Sequence, residues 1–240
     1  TVRATRAGHA AAPSKPPKTI AAMARKPFSL TYVTYEEGDS VGLVCALLAL
    51  APVFIIVAYA TLLVSRRELH VFYILAGQLA NGALNGLLKA YFDAPRPEGA
   101  DRAGPGFPSD HAQFMGFWAA YAALFLILYV PRVGRPYWRE LLGAAVVALA
   151  AAVAGSRVYL GYHSADQVCA GLGFGSVFAA GWIEAYGRLL RPRLGGWVRN
   201  SPVCRYLLVR DCAHVADVLR VDYDAAMRRL GSSSPRKKRS

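Results

Sequence analysis

Long apolar runs separated by short polar segments fill this chain between residues 41 and 189. A membrane-spanning helix needs about 20 mainly apolar residues. Five segments approach that requirement: residues 41–64, 69–92, 112–130, 141–160 and 165–189. Residues 191–230 are mixed and predict a surface-lying extension with a short helix near 215–230. The pattern therefore predicts an all-α, polytopic membrane helix bundle with about five membrane helices and short extra helices.

The second apolar segment carries polar residues at spacings of three and four: Gln78, Asn81, Asn85 and Lys89. Residues at these spacings share one face of a helix. Polar groups at membrane depth are costly unless they face a protein interior or a wet cavity, so this stripe should point into the bundle and lead to Lys89. In the fifth segment, Gly171 and Gly175 have the spacing that lets two helices approach closely.

Composition agrees with a membrane protein. Of the 240 residues, 55% are hydrophobic and 18% are charged, against about a quarter charged in soluble domains. The net charge of +13 would be typical of a nucleic-acid binder, but the excess lies in the two tails and in short loops beside apolar runs. Anionic lipid headgroups are therefore the expected neighbours, not nucleic acid. The four cysteines show no disulfide or metal spacing.

The two ends of the chain differ from its apolar middle. No acidic residue precedes Glu36, whereas six basic residues do. Residues 1–27 are accordingly either a targeting segment of the transit-peptide kind or disordered sequence ahead of a start at Met23. Residues 28–230 form the predicted membrane domain, and residues 231–240 a basic disordered tail.

Basic residues in the loops predict the orientation in the membrane. They follow the first, third and fifth apolar segments: Arg66, Arg67, Arg132, Arg135, Arg139, Arg188, Arg191 and Arg193. These three loops lie on one side by parity, and the positive-inside rule assigns that side to the cytosol.

Residues with phosphate-binding or proton-transfer chemistry fall on the other side by the same parity: Lys89, Arg96, Ser109, His111, Arg157 and His163. Arginine matches phosphate oxygens, a helix start offers free N–H groups to an anion, and histidine suits proton transfer or nucleophilic attack. No cluster has metal-ligand spacing, so a two-metal mechanism is not indicated. Singly, each residue is as well explained as an anchor, an N-cap or a structural histidine. Together they predict phosphoryl transfer driven by positioning and positive charge.

Three motifs at these positions resemble those of the type 2 phosphatidic acid phosphatase superfamily: KAYFDAPRP at 89–97, PSDH at 108–111 and SRVYLGYH at 156–163. Two positions depart from the family pattern. Asp110 stands in place of the usual glycine. Gln167 stands in place of the aspartate that orients the nucleophilic histidine, and Asp166 lies one residue earlier. Whether Gln167 or Asp166 orients His163 stays open.

Over about residues 30–229 the chain resembles a narrower branch, the dolichyldiphosphatases with the plant chloroplast lipid phosphate phosphatase gamma, in stretches such as FPSDHAQFM and SRVYLGYHSADQV. The resemblance implies hydrolysis through a phosphohistidine without a metal or another cofactor. The groups that it assigns to the terminal phosphate are Lys89, Arg96, Arg157, Ser109 and the Asp110 backbone N–H. His163 is then the nucleophile, while His111 protonates the leaving oxygen and afterwards activates water.

The expected substrate is dolichyl diphosphate at the lumenal face of the endoplasmic reticulum, where its hydrolysis would recycle the carrier lipid for N-glycosylation. The closest alternative is a chloroplast phosphatidate phosphatase. A soluble vanadate haloperoxidase shares the phosphate-site motifs, but the five apolar segments argue against it. A non-catalytic membrane scaffold or lipid transporter is the alternative of another class.

Overall fold

A computed structural model describes residues 33–100, 103–130, 137–212, 215 and 217–232. Residues 1–27 and 233–240, which include the predicted targeting segment and most of the predicted tail, lie outside the described residues. The described elements are α1 (Ser40–Leu48), α2 (Ala51–Arg66), α3 (Leu69–Phe92), α4 (Asp110–Leu128), α5 (Trp138–Tyr159), α6 (Ala165–Ala185), a π-helical turn (Tyr186–Leu190), α7 (Arg191–Asn200), α8 (Pro202–Tyr206) and α9 (Val218–Ser232).

Five of the described helical stretches are long and apolar enough to cross a membrane: Ser40–Arg66, Leu69–Phe92, Asp110–Leu128, Trp138–Tyr159 and Ala165–Asn200. Their outward faces expose large apolar side chains such as Phe54, Leu87 and Val177. Such a surface suits a lipid environment and not water. The predicted all-α membrane bundle is confirmed, and the chain is a multi-pass membrane protein.

The first predicted membrane helix is broken in two at residues 49–50, a break that the apolar pattern alone did not predict. Pro52 lies at the start of α2, where its missing N–H costs nothing. The backbone N–H of Val53 donates to the Leu50 carbonyl at 3.0 Å. The Ala49 carbonyl is thereby left to bond a side chain of another helix.

The helix α4 is the centre of the bundle and packs against α3, α5 and α6. Three glycines allow α4 and α6 to touch along their backbones. A Cβ at Gly171 would lie 2.8 Å from the Ser109 carbonyl oxygen, one at Gly116 would lie 2.6 Å from that of Leu172, and one at Gly175 would meet the Gln113 carbonyl. The close approach predicted from Gly171 and Gly175 is confirmed. It brings the first turn of α6 beside the start of α4.

The C-terminal extension packs against the end of the bundle where α2 meets α3. Backbone N–H groups of Leu69 and Arg210 donate to the Arg210 and Arg67 carbonyls at 2.9 and 3.0 Å. Asp222 of α9 pairs with Arg66 at 2.9 Å and with Arg210 at 3.1 Å. The side-chain hydrogen bond from Arg210 holds the pKa of the Asp222 carboxyl below its usual range. The predicted surface extension therefore lies away from the end of α3 that carries Lys89.

Candidate active site

The residues predicted to share one side of the membrane lie at one end of the bundle. Lys89 is in the last turn of α3 and Arg157 in the last turn of α5. The first turn of α4 carries Asp110 and His111, while His163 lies between α5 and α6. These helix ends are joined by direct hydrogen bonds. For example, the Ser109 N–H donates to the Gln167 carbonyl at 3.0 Å, and the His163 N–H donates to the Arg157 carbonyl at 3.2 Å.

His163 is buried, and its ring is held from both sides. Nδ1 lies 3.0 Å from the Gly106 carbonyl oxygen and 3.1 Å from Gln167 Oε1. Both of these atoms can only accept a hydrogen bond, so Nδ1 carries the proton. Nε2 is therefore the basic nitrogen, and it accepts a hydrogen bond from Arg96 Nη1 at 3.1 Å. The tautomer presents an imidazole lone pair beside a guanidinium group.

Gln167, and not Asp166, contacts the His163 ring. The Gln167 amide is oriented by a donor bond from Nε2 to the Pro95 carbonyl at 2.7 Å and by the Ser164 N–H, which donates to Oε1 at 3.4 Å. The latter bond belongs to a capping box at the start of α6. Asp166 is exposed in the same turn. Of the two partners left open by the sequence, the structure brings Gln167 to the histidine and leaves Asp166 at the surface.

Burial is the main reason that His163 is a poor base. Loss of solvent around the ring, followed by the Arg96 guanidinium, lowers the pKa of His163 from 6.5 to about 4. The ring is consequently uncharged at neutral pH. An uncharged imidazole with a fixed tautomer is competent to attack an electrophilic phosphorus.

Arg157 is 2% exposed and is held by an aromatic side chain. Its guanidinium carbon lies 4.2 Å from the centroid of the Tyr162 ring, a distance at which the cation is attracted to the ring face. The Tyr162 hydroxyl accepts a hydrogen bond at 2.8 Å from the backbone N–H of Thr34. Neither Tyr162 nor Thr34 was identified from the sequence. An aromatic residue beside the histidine of the third motif was the available signal.

Lys89 and Asp110 form an ion pair, with Nζ 2.8 Å from Oδ1. Lys89 also donates to the Pro105 carbonyl at 3.4 Å. Asp110 was predicted among the phosphate-binding groups through its backbone N–H, and its side chain had no assigned role. The structure places that carboxylate against the lysine. Ser109 is fully buried, and its Oγ has no hydrogen-bond partner among the described residues.

His111 makes its hydrogen bond at the break between α1 and α2. Its Nε2 lies 3.1 Å from the Ala49 carbonyl oxygen, which can only accept, so Nε2 carries a proton. Nδ1 is then the unprotonated ring nitrogen of the neutral form. The helix break explains why this carbonyl is available, because Val53 bonds to Leu50 instead.

The polar stripe of α3 faces the bundle interior, as predicted, with Gln78, Asn81 and Asn85 all buried. It meets Gln113 of α4, which the sequence reasoning missed. Gln113 Nε2 donates to Asn81 Oδ1 at 3.1 Å, and its Oε1 accepts from Asn85 Nδ2 at 2.8 Å. This network fixes the register of α4 against α3. It therefore fixes Ser109 and Asp110 relative to Lys89.

Comparisons with known proteins agree with the motifs. The PAP2 superfamily model matches residues 70–191. Dolichyldiphosphatase 1 of Homo sapiens is 36% identical over 210 residues, covering 82% of this chain and 87% of the relative. Lipid phosphate phosphatase gamma of Arabidopsis thaliana is 33% identical over 211 residues, covering 84% and 91%.

One solved structure has the same fold. It is the transmembrane PAP2 type phosphatidylglycerolphosphate phosphatase from Bacillus subtilis, which matches with a TM-score of 0.55 and 21% identity over 64% of this chain and 80% of that one.

Proposed function

Because this chain belongs to the PAP2 superfamily, we propose that it hydrolyses dolichyl diphosphate to dolichyl phosphate and orthophosphate through a phosphohistidine at His163. The chain is a lipid phosphatase by its relatives. The similarity to dolichyldiphosphatase 1, which covers 82% of this chain, supports a polyisoprenoid substrate. The observation that carries the mechanism is the buried His163 ring, with Nδ1 bonded to two acceptors and Nε2 turned to Arg96.

Lys89, Arg96 and Arg157 surround the terminal phosphate with positive charge, and the Ser109 hydroxyl donates to one of its oxygens. The Arg96 hydrogen bond passes from His163 Nε2 to a phosphate oxygen, which frees the Nε2 lone pair. Nε2 then attacks phosphorus, and the bond from phosphorus to the bridging oxygen breaks. The Nδ1 proton becomes more acidic as the ring takes on positive charge. Gln167 Oε1 and the Gly106 carbonyl accept hydrogen bonds from the Nδ1–H group and so stabilise the positive charge of the ring.

His111 transfers a proton in each of the two half-reactions. In its protonated form it donates from Nδ1 to the leaving oxygen of dolichyl phosphate. The neutral ring then takes a proton from water, whose oxygen attacks phosphorus as the bond to His163 Nε2 breaks. Orthophosphate leaves and both histidines return to their starting states. The Ala49 carbonyl keeps the His111 ring oriented throughout this exchange.

The proposed location is the endoplasmic-reticulum membrane, with the site at the lumenal face. The basic residues Arg66, Arg67 and Arg188 lie at the helix ends away from the site, in agreement with the positive-inside rule. Dolichyl phosphate released there would return to the carrier pool for protein N-glycosylation. A chloroplast phosphatidate phosphatase is the second candidate, favoured by the 33% identity to the Arabidopsis enzyme.

The test is a paired lipid assay. The purified full chain in lipid nanodiscs is given dolichyl diphosphate or phosphatidate, and orthophosphate release is measured with and without a chelator. We expect a clear preference for dolichyl diphosphate that is insensitive to the chelator and is lost in His163→Ala. A preference for phosphatidate would transfer the assignment to the second candidate. Activity that survives in His163→Ala would overturn the assignment of His163 as the nucleophile.

A further inference from the structure

The ion pair between Lys89 and Asp110 places a negative charge inside a site built for an anion. The lysine side chain is 15% exposed and the aspartate side chain 41% exposed, so the pair lies at the mouth of the site. An ammonium group has three hydrogens to donate. Asp110 Oδ1 takes one at 2.8 Å and the Pro105 carbonyl takes another at 3.4 Å. Only one hydrogen then remains for a phosphate oxygen.

Asp110 is also the first residue of α4. A helix N-terminus attracts an anion through its free N–H groups and its dipole. Of the two features that would hold a phosphate at this point, the lysine is therefore bonded to a carboxylate, and the helix start carries the same carboxylate in its first turn. Lys89, Arg96 and Arg157 together carry three formal positive charges, which Asp110 reduces to two.

We propose that Asp110 competes with orthophosphate for Lys89 and the start of α4, and so weakens product binding and speeds its release. This role rests on the proposed function, in which orthophosphate is the last product to leave the site. The phosphohistidine stays in the site despite the competition because its phosphorus is bonded to His163. Free orthophosphate has no such bond, and the nearby carboxylate acts on it through charge alone.

The first experiment measures orthophosphate binding directly, by calorimetric titration of the full chain in nanodiscs. Asp110→Asn keeps the shape of the side chain and removes its charge. We expect it to bind orthophosphate about tenfold more tightly than the wild type, and we expect Asp110→Glu to restore wild-type affinity. The matched control is Asp93→Asn, which removes an exposed carboxylate at the end of α3. Asparagine tolerates the positive φ of 41° found at this position, and orthophosphate affinity should stay unchanged.

The second experiment measures turnover of dolichyl diphosphate with added orthophosphate. Asp110→Asn should show product inhibition at about tenfold lower orthophosphate, whereas Asp93→Asn should match the wild type. Unchanged or weaker orthophosphate binding in a folded Asp110→Asn protein would overturn the proposal. If Asp110→Asn does not fold, Asp110→Ser is used, and the same comparison applies. A wild type that binds orthophosphate without hydrolysing the lipid would refute the proposed function alone, since the titration still tests Asp110.

Discussion

Replacing Gln167 with leucine is the sharpest perturbation of the proposed nucleophile. The change removes the 3.1 Å contact to His163 Nδ1, the 2.7 Å bond to Pro95 and the 3.4 Å bond from Ser164. The Gly106 carbonyl still accepts from Nδ1 at 3.0 Å, so the tautomer should persist. What is lost is one acceptor for a ring that becomes positively charged, worth about 1.5–3 kcal/mol.

That free energy corresponds to a fall in kcat on the order of 10- to 100-fold. Orthophosphate release from dolichyl diphosphate is the assay, with thermal unfolding measured on the same preparations. Gln78→Leu is the matched control, because Gln78 is also buried in a membrane helix but bonds only weakly, to the Phe114 carbonyl at 3.4 Å. It should alter stability and leave kcat unchanged. A kcat of Gln167→Leu within about twofold of the wild type would refute the role given to the amide.

Three further predictions follow from the same geometry. Because the pKa of His163 is lowered to about 4, kcat/KM should not fall from protonation of this ring between about pH 7 and pH 5; an acidic limb centred near the ordinary histidine pKa would contradict this. Arg157→Lys should lower kcat/KM on the order of 100-fold, because lysine lacks the planar fork that stacks on Tyr162; near-normal kinetics would refute it. Gly175→Ala should lower the free energy of unfolding by about 1–3 kcal/mol, because the added methyl group meets the Gln113 carbonyl. Denaturation in detergent measures this change. Gly173→Ala is the control, because an added methyl group at Gly173 meets open space.

Apolar periodicity was sufficient to predict the membrane helices but not their interruptions. Residues 69–92 were predicted as one helix and form α3 without change. The break at residues 49–50 lies inside an uninterrupted apolar run, so it has no hydropathy signal. Only Pro52 marks it, and a proline near a helix start and one inside a helix look alike in sequence. That break matters for the site because it supplies the carbonyl that orients His111.

The meeting of the site residues could be predicted from helix parity, whereas their pairings could not. Gln167 and Asp166 both lie within one helical turn of His163, and hydrogen bonds to Pro95 and Ser164 decide between them. Pro95 and Ser164 lie in the loops before α4 and α6, and periodicity does not predict the paths of these loops. The same holds for Asp110, whose contact with Lys89 depends on how residues 93–109 return the chain to α4.

Trapping of the covalent intermediate tests the central claim most directly. The full chain in nanodiscs is mixed with dolichyl diphosphate, quenched under alkaline conditions that preserve phosphohistidine, and mapped by peptide mass spectrometry. We predict phosphate on His163 in the wild type and none in His163→Ala. Phosphate found on His111, or turnover with no covalent phosphate in any of these proteins, would contradict the account.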